Sequence, residues 1–173
     1  FKSLAAGART IAIGNEADAG GADNVVIGSN AEANSIQQTI IGNYIDVAGN
    51  GAIAVGYMGL SGYGFNGPCV FAVSIGAYPS ILNGGNAVNI GTTNKITGSG
   101  ILVGFGGNVT HNAIGLGRNV QASNTGSVAI GSGSNSSGYA SFAFGNYIPV
   151  SGDHSVGFNL GTTRHTLTQD NTF

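Results

Sequence analysis

Charge is the scarcest property of this chain. Only 7% of its 173 residues are charged, with five Lys or Arg against seven Asp or Glu and a formal net charge of −2. An ordinary domain carries about 25%. So few cations leave no electrostatic footprint for nucleic acid or for an anionic membrane surface. The chain has no Trp, one Met, one Cys and three Pro. The single thiol, Cys69, closes no intrachain disulfide. With no His or basic residue near it in sequence, it is expected to be a small buried residue and not a nucleophile. No run approaches the ~18 apolar residues of a membrane-spanning helix. Phe1 follows no signal peptide and no initiating Met, so it is expected to begin a fragment or a processed chain.

Catalytic signals are equally thin. His111, His154 and His165 lack metal-ligand spacing. Gly62 to Gly67 matches G-x-G-x-x-G, but no helix-like pattern follows and no βαβ unit surrounds it. Stacking of repeats is expected to bring Asp18 and Glu32 one coil apart, where exposed acids are more often solvated than paired for acid/base work. No catalytic residue, metal ligand or cofactor is assigned.

What the chain has in excess is glycine, 32 residues, or well over twice the usual ~7%. The glycines do not follow Gly-X-Y, which excludes collagen. They follow a longer period. Ile11-Ala12-Ile13-Gly14 returns as Val25-Val26-Ile27-Gly28, Thr39-Ile40-Ile41-Gly42 and Ile53-Ala54-Val55-Gly56. Val73-Ser74-Ile75-Gly76, Val88-Asn89-Ile90-Gly91, Ile101-Leu102-Val103-Gly104 and Ile114-Gly115-Leu116-Gly117 continue it. Val128-Ala129-Ile130-Gly131, Phe142-Ala143-Phe144-Gly145 and a degenerate Val156-Gly157-Phe158-Asn159 complete it. The last residues of these eleven units are spaced 14, 14, 14, 20, 15, 13, 13, 14, 14 and 14 apart.

A unit of this length is too short for two helices. Its Ile, Val and Phe favour strands. One strand is the apolar triplet before the marker glycine. A second lies three and five residues after it, at Ala17/Ala19, Ala31/Ala33, Ile45/Val47, Val120/Ala122 and Ile148/Val150. Two short strands and two turns per unit predict an all-β fold, a parallel β-roll or β-solenoid of ~14-residue coils stacked about 4.8 Å apart. The marker glycines Gly14, Gly28, Gly42, Gly56, Gly76, Gly91, Gly104, Gly117, Gly131 and Gly145 are expected where φ is positive or where turns pack too closely for a Cβ. Asn159 at the last marker fits a left-handed conformation.

The middle residue of each triplet is also uncharged and usually small or apolar, which is the pattern of a strand buried on both faces. A thin roll has one interior, and this chain has no helix to cover the other face. Copies of the same chain around a common axis are the expected cover. The residues assigned to this trimer or roll core are Ile13, Ile27, Ile41, Val55, Ile75, Ile90, Val103, Leu116, Ile130, Phe144 and Phe158.

"SVAIGSGSNSSGYASFAFGN" (Ser127 to Asn146) and "RTIAIGNEADAGGADNVVIGSNAEANS" (Arg9 to Ser35) resemble the S-V-A-I-G-x-x-A-x-A-x-G-x-x-S repeats of YadA-like heads in trimeric autotransporter adhesins. The resemblance spans Arg9 to Asn159. It implies a left-handed β-roll in each of three chains, a homotrimeric rod outside a cell, and a surface glycan or host protein as ligand. Similar repeats occur in phage tail fibres. The expected organisation is a roll over 1–159 and a polar cap or transition to a further domain over 160–173. A loop insertion is expected at about 57–72. Insertions in solenoids often bind, so Tyr57, Met58, Tyr63 and Phe65 are candidate ligand contacts.

The expected function is therefore a non-enzymatic structural and adhesive segment of a homotrimeric extracellular fibre on a cell or a virion. No nucleic acid or membrane contact is expected. A phage tail-fibre shaft or receptor-binding segment, a monomeric solenoid acting on polysaccharide and a filament subunit that polymerises end to end are the alternatives.

Overall fold

A computed structural model describes residues 2–47, 49–57, 65–66, 71–78, 80–82, 86–110, 112–163 and 165–173. Within these residues the chain is all-β. It is a parallel β-solenoid of about ten turns, with coils of about 14 residues. It divides into two compact units, Phe1–Thr92 and Thr93–Phe173.

In the first unit each coil contributes one strand to each of two parallel sheets. The marker sheet holds the triplet strands β2 (Ile11–Ile13), β4 (Val25–Ile27), β6 (Thr39–Asn43), β8 (Ile53–Tyr57), β10 (Val73–Ala77) and β12 (Ala87–Thr92). The companion sheet holds β1 (Leu4–Ala5), β3 (Asp18–Ala19), β5 (Ala31–Ala33), β7 (Ile45–Val47), β9 (Phe65–Asn66) and β11 (Ser80–Leu82). The second unit repeats the plan. Its companion strands are β13 (Lys95–Thr97), β15 (Asn108–Thr110), β17 (Gln121–Ala122), β19 (Asn135–Ser136) and β21 (Pro149–Val150). Its marker strands are β14 (Gly100–Phe105), β16 (Ala113–Arg118), β18 (Val128–Ser132), β20 (Phe142–Asn146) and β22 (Val156–Asn159).

Register follows the marker glycines. Gly42 pairs with Gly56, Gly56 with Gly76, and Gly76 with Gly91, although the spacings are 14, 20 and 15 residues. The register is kept across the longer spacings; a slip of one residue would turn every side chain to the opposite face.

The marker glycines meet both conditions set for them. Those from Gly14 to Gly145 that carry a positive φ lie between +122° and +152°. A Cβ on Gly28 would fall 1.6 Å from the Gly42 carbonyl oxygen, and one on Gly131 would fall 2.0 Å from that of Gly145. Asn159 departs from expectation. It is not among the positive-φ residues. Among the described residues no marker strand of this unit stacks beyond β22. The Asn159 amide instead donates to the Asn146 and Thr163 carbonyls, and its Oδ1 accepts the Gly161 N–H.

The interior is narrow, and its volumes are matched coil by coil. The middle residue of each triplet points inward: Val26, Ile40 and Ala54 in the first unit, Leu102, Ala129 and Ala143 in the second, all buried. They meet the companion-strand pairs predicted from sequence, including Ala31/Ala33, Ile45/Val47, Val120/Ala122 and Ile148/Val150, also buried. Beside one bulky companion pair the middle residue is glycine. Gly157 faces Ile148 and Val150, and a Cβ on it would lie 2.6 Å from Val150 Cγ2 and 3.1 Å from Ile148 Cγ1. Close-packed interiors permit little else.

Polar side chains close the turns from within. Gln38 is fully buried. Its Nε2 donates to the Val47 and Gly49 carbonyls, its Oε1 accepts the Ser35 N–H, and its backbone N–H donates to Asn24 Oδ1. In the second unit Ser127, Ser141 and Ser155 occupy the equivalent place. Ser127 Oγ donates to the Asn124 carbonyl and Ser141 Oγ to the Gly138 carbonyl. Buried polar groups are tolerated only when paired in this way.

The last segment keeps the coil register. Leu167 bridges Val150 and packs on Ala143, Ile148 and Val150. The Val156 N–H donates to Thr172 O as the Phe142 N–H does to Ser155 O one coil earlier.

Candidate functional site

The two sheets present opposite surfaces. On the marker sheet the first and third residues of each triplet point outward. In the first unit the twelve such positions hold eleven Ile or Val and Thr39. In the second unit all ten are Ile, Leu, Val or Phe. Ile13, Ile27, Ile41, Ile75, Ile90, Val103 and Phe158 are exposed. Val55, Leu116, Ile130 and Phe144 are half-buried by their stacked neighbours. Of the two places open to these residues, roll interior or outer face, all lie on the outer face. Phe142, Phe144 and Phe158 cluster, with ring centroids 5.8 to 6.4 Å apart.

Contiguous apolar patches beyond a few hundred Å² are rare on monomers. Here the stripe is unbroken along every coil of each unit, and no charged side chain interrupts it.

The companion sheet is polar outside. Asp18, Glu32 and Asp46 stand in register on β3, β5 and β7. They line a groove of about 410 Å³ with Glu16, Asn30, Tyr44 and Ile45. The predicted meeting of Asp18 and Glu32 is thus present. Asp46 accepts a hydrogen bond from Asn34 Nδ2 at 3.1 Å. Among the described residues no group of three or more His, Cys, Asp or Glu has the geometry to hold a metal. Arg9 and Asp23, one coil apart, form a bidentate ion pair with Arg9 Nη2 2.8 Å from Asp23 Oδ2. The Arg9 hydrogen bond is the main reason the Asp23 carboxyl lies below its ordinary range; desolvation opposes it, and the charge attraction to Arg9 adds a smaller lowering.

The insertion candidates separate. Tyr57 ends β8 and is exposed. It sits between Tyr44 and Tyr78, edge to face with both, at centroid distances of 6.4 and 6.3 Å. Phe65 is not in a loop. It opens β9 and pairs with Val47 and Ile81. Met58, Tyr63 and Cys69 lie outside the described residues, as does most of 57–72.

Sequence reasoning missed a second class of position. Among the described residues most coils have two left-handed turn positions besides the marker glycine, among them Glu16, Asn30, Tyr44 and Tyr78 in the first unit and Asn119 and Tyr147 in the second. The N–H groups of Asn30, Tyr44, Tyr78, Asn119 and Tyr147 donate to the preceding coil, as Tyr44 does to the Ser29 carbonyl and Tyr147 to that of Ser132. Asn and Gly are the usual occupants of such positions. The aromatic occupants hid the period.

Comparison with protein-family models and with curated proteins returned no match.

Proposed function

We propose that this chain is a non-enzymatic, structural and adhesive segment of a homotrimeric extracellular fibre, with the marker sheets of three copies packed on a common axis. The observation that supports the reading is the unbroken apolar stripe on the outside of the marker sheet, opposite a polar companion sheet. A stripe of similar, mostly apolar pairs repeated every coil is self-complementary, so copies in register cover one another along their length. Closed symmetry consumes all such faces, as oligomers normally do. The YadA-like resemblance of the repeats supports three as the number of copies and an exposed fibre, on a cell or on a virion, as the setting. Attachment then follows from many weak contacts multiplied by three chains.

The deciding experiment is absolute mass in solution by light scattering. The reading expects three times the 17.1 kDa of one chain. It also expects Ile130→Asp, which places a charge in the stripe, to dissociate the assembly. A native protein that scatters as a monomer at micromolar concentration overturns the trimer.

A further inference from the structure

The second unit carries a concave site on its companion face, away from the apolar stripe. Gln121, Asn135 and Pro149 stand in register on β17, β19 and β21. Two residues before each is a left-handed turn position, filled by Asn119 (φ 52°), Gly133 (φ 65°) and Tyr147 (φ 47°). The two columns border a groove of about 280 Å³.

Tyr147 is the anomaly. A bulky residue in left-handed conformation is uncommon, and such backbone strain costs about 1–3 kcal/mol. Glycine holds the same place one coil earlier, so the turn itself does not require tyrosine. The ring is nevertheless well seated. A Cβ on Gly133 would fall 2.7 Å from Tyr147 Cδ1 and 2.8 Å from Cε1, so the ring lies where that Cβ would be. Tyr147 remains 58% exposed. The glycine thus holds the ring down against one coil and leaves it open to solvent.

The surrounding chemistry is neutral. No charged residue lines the groove, and three side-chain amides do: Asn119, Gln121 and Asn135. Asn135 Oδ1 is buried and accepts no hydrogen bond from a described residue. Buried acceptors are rarely left unpaired. An open aromatic face attracts the weakly positive C–H bonds on one side of a sugar ring, because the face carries the negative end of the ring quadrupole. Amides donate to and accept from hydroxyls. No cationic side chain lines the groove to neutralise a phosphate or a carboxylate.

We propose that this groove binds a neutral saccharide unit, with Tyr147 as its stacking platform and Asn119, Gln121 and Asn135 as hydroxyl partners. Pro149 completes the wall. It has no N–H to donate, and it stands on β21, the last companion strand of the unit.

The test uses the full chain on an array of neutral and acidic oligosaccharides, followed by calorimetric titration of the best-bound neutral oligosaccharide. Tyr147→Gly suits the left-handed turn, as Gly133 shows, so the variant keeps its fold. Its binding is expected to weaken about tenfold or more, the equivalent of roughly 1.4 kcal/mol. Tyr147→Phe keeps the platform and is expected to bind within about threefold of the parent, and Gln121→Ala to bind several-fold less tightly. Three results overturn the site: no neutral oligosaccharide retained, retention of acidic sugars alone, or Tyr147→Gly binding as tightly as the parent. The groove lies within one chain, so its fate is separable from that of the trimer. A trimeric mass without sugar binding overturns the site alone. A monomeric mass with Tyr147-dependent binding overturns the trimer alone.

Discussion

Replacing one marker glycine by alanine should do far more damage than replacing a turn glycine in the same unit. Gly131 has φ +123°, and an added Cβ would lie 2.0 Å from the Gly145 carbonyl oxygen and 2.8 Å from its carbon. Close C–H to oxygen contacts are ordinarily about 3.3–3.6 Å. The gap of more than about 1 Å has to open between coils that a sheet holds about 4.8 Å apart. The atom in the way is backbone, so no side chain can rotate aside. Relief requires breaking two or three ladder hydrogen bonds at about 0.5–1.5 kcal/mol each. The disfavoured dihedral adds about 1–3 kcal/mol. The expected loss is about 3–6 kcal/mol, a large part of the ~5–15 kcal/mol that stabilises a typical domain.

Gly126→Ala is the control. Gly126 has φ +70°, and its nearest neighbour would be Ala140 Cα at 3.6 Å, an ordinary contact. Ala140 itself occupies the next coil's equivalent position at φ 49°. The expected loss is about 1–2 kcal/mol. Urea titrations followed by far-ultraviolet circular dichroism, at equal chain concentration, compare the two. Gly131→Ala should lower the midpoint several times more than Gly126→Ala, or fail to fold. Equal midpoints would refute the claim that close approach of coils, and not glycine flexibility alone, selects the marker residue.

Other expectations follow from the same packing. Gly157→Ala should destabilise by about 1–3 kcal/mol through overpacking, and Val150→Ala in the same chain should recover part of the loss because it removes Cγ2, 2.6 Å from the new methyl; strictly additive losses would contradict this. Ser141 Oγ donates to the Gly138 carbonyl and lies 2.6 Å from buried Ser136 Oγ. Ser141→Ala should therefore lose about 1–3 kcal/mol by stranding Ser136, and a double-mutant cycle with Ser136→Ala should show coupling. The Arg9 hydrogen bond holds the Asp23 carboxyl below its ordinary value. A depressed carboxyl stabilises the fold above its unfolded pKa, near 4, and that stabilisation fades as pH falls through the lower folded value. The pair is exposed, so the effect is small and screened by salt. An NMR titration should find the Asp23 carboxyl returning to the ordinary range in Arg9→Ala, and an unchanged titration would remove Arg9 as the cause.

Coil length, the two strands of each coil and the marker glycines were determined by the sequence alone. They repeat at every turn, and each has a local cause. Alternating apolar residues make strands, and a residue without a Cβ is required wherever one carbonyl overlies the next. The companion pairs, such as Ile45/Val47 and Ile148/Val150, were legible for the same reason. The face taken by Ile13, Ile130 or Phe158 was not. A triplet apolar at all three positions reads alike in either orientation, and only closure of the coil around Val26, Leu102 and Gly157 turns the first and third residues outward. The left-handed turns at Tyr44 and Tyr147 were also hidden. The residues there are not the usual ones, and what holds Tyr147 in place is Gly133, fourteen residues earlier in sequence and directly beneath it in the stack. The tertiary structure decided these points because each depends on contacts between successive coils, which no single coil's sequence contains.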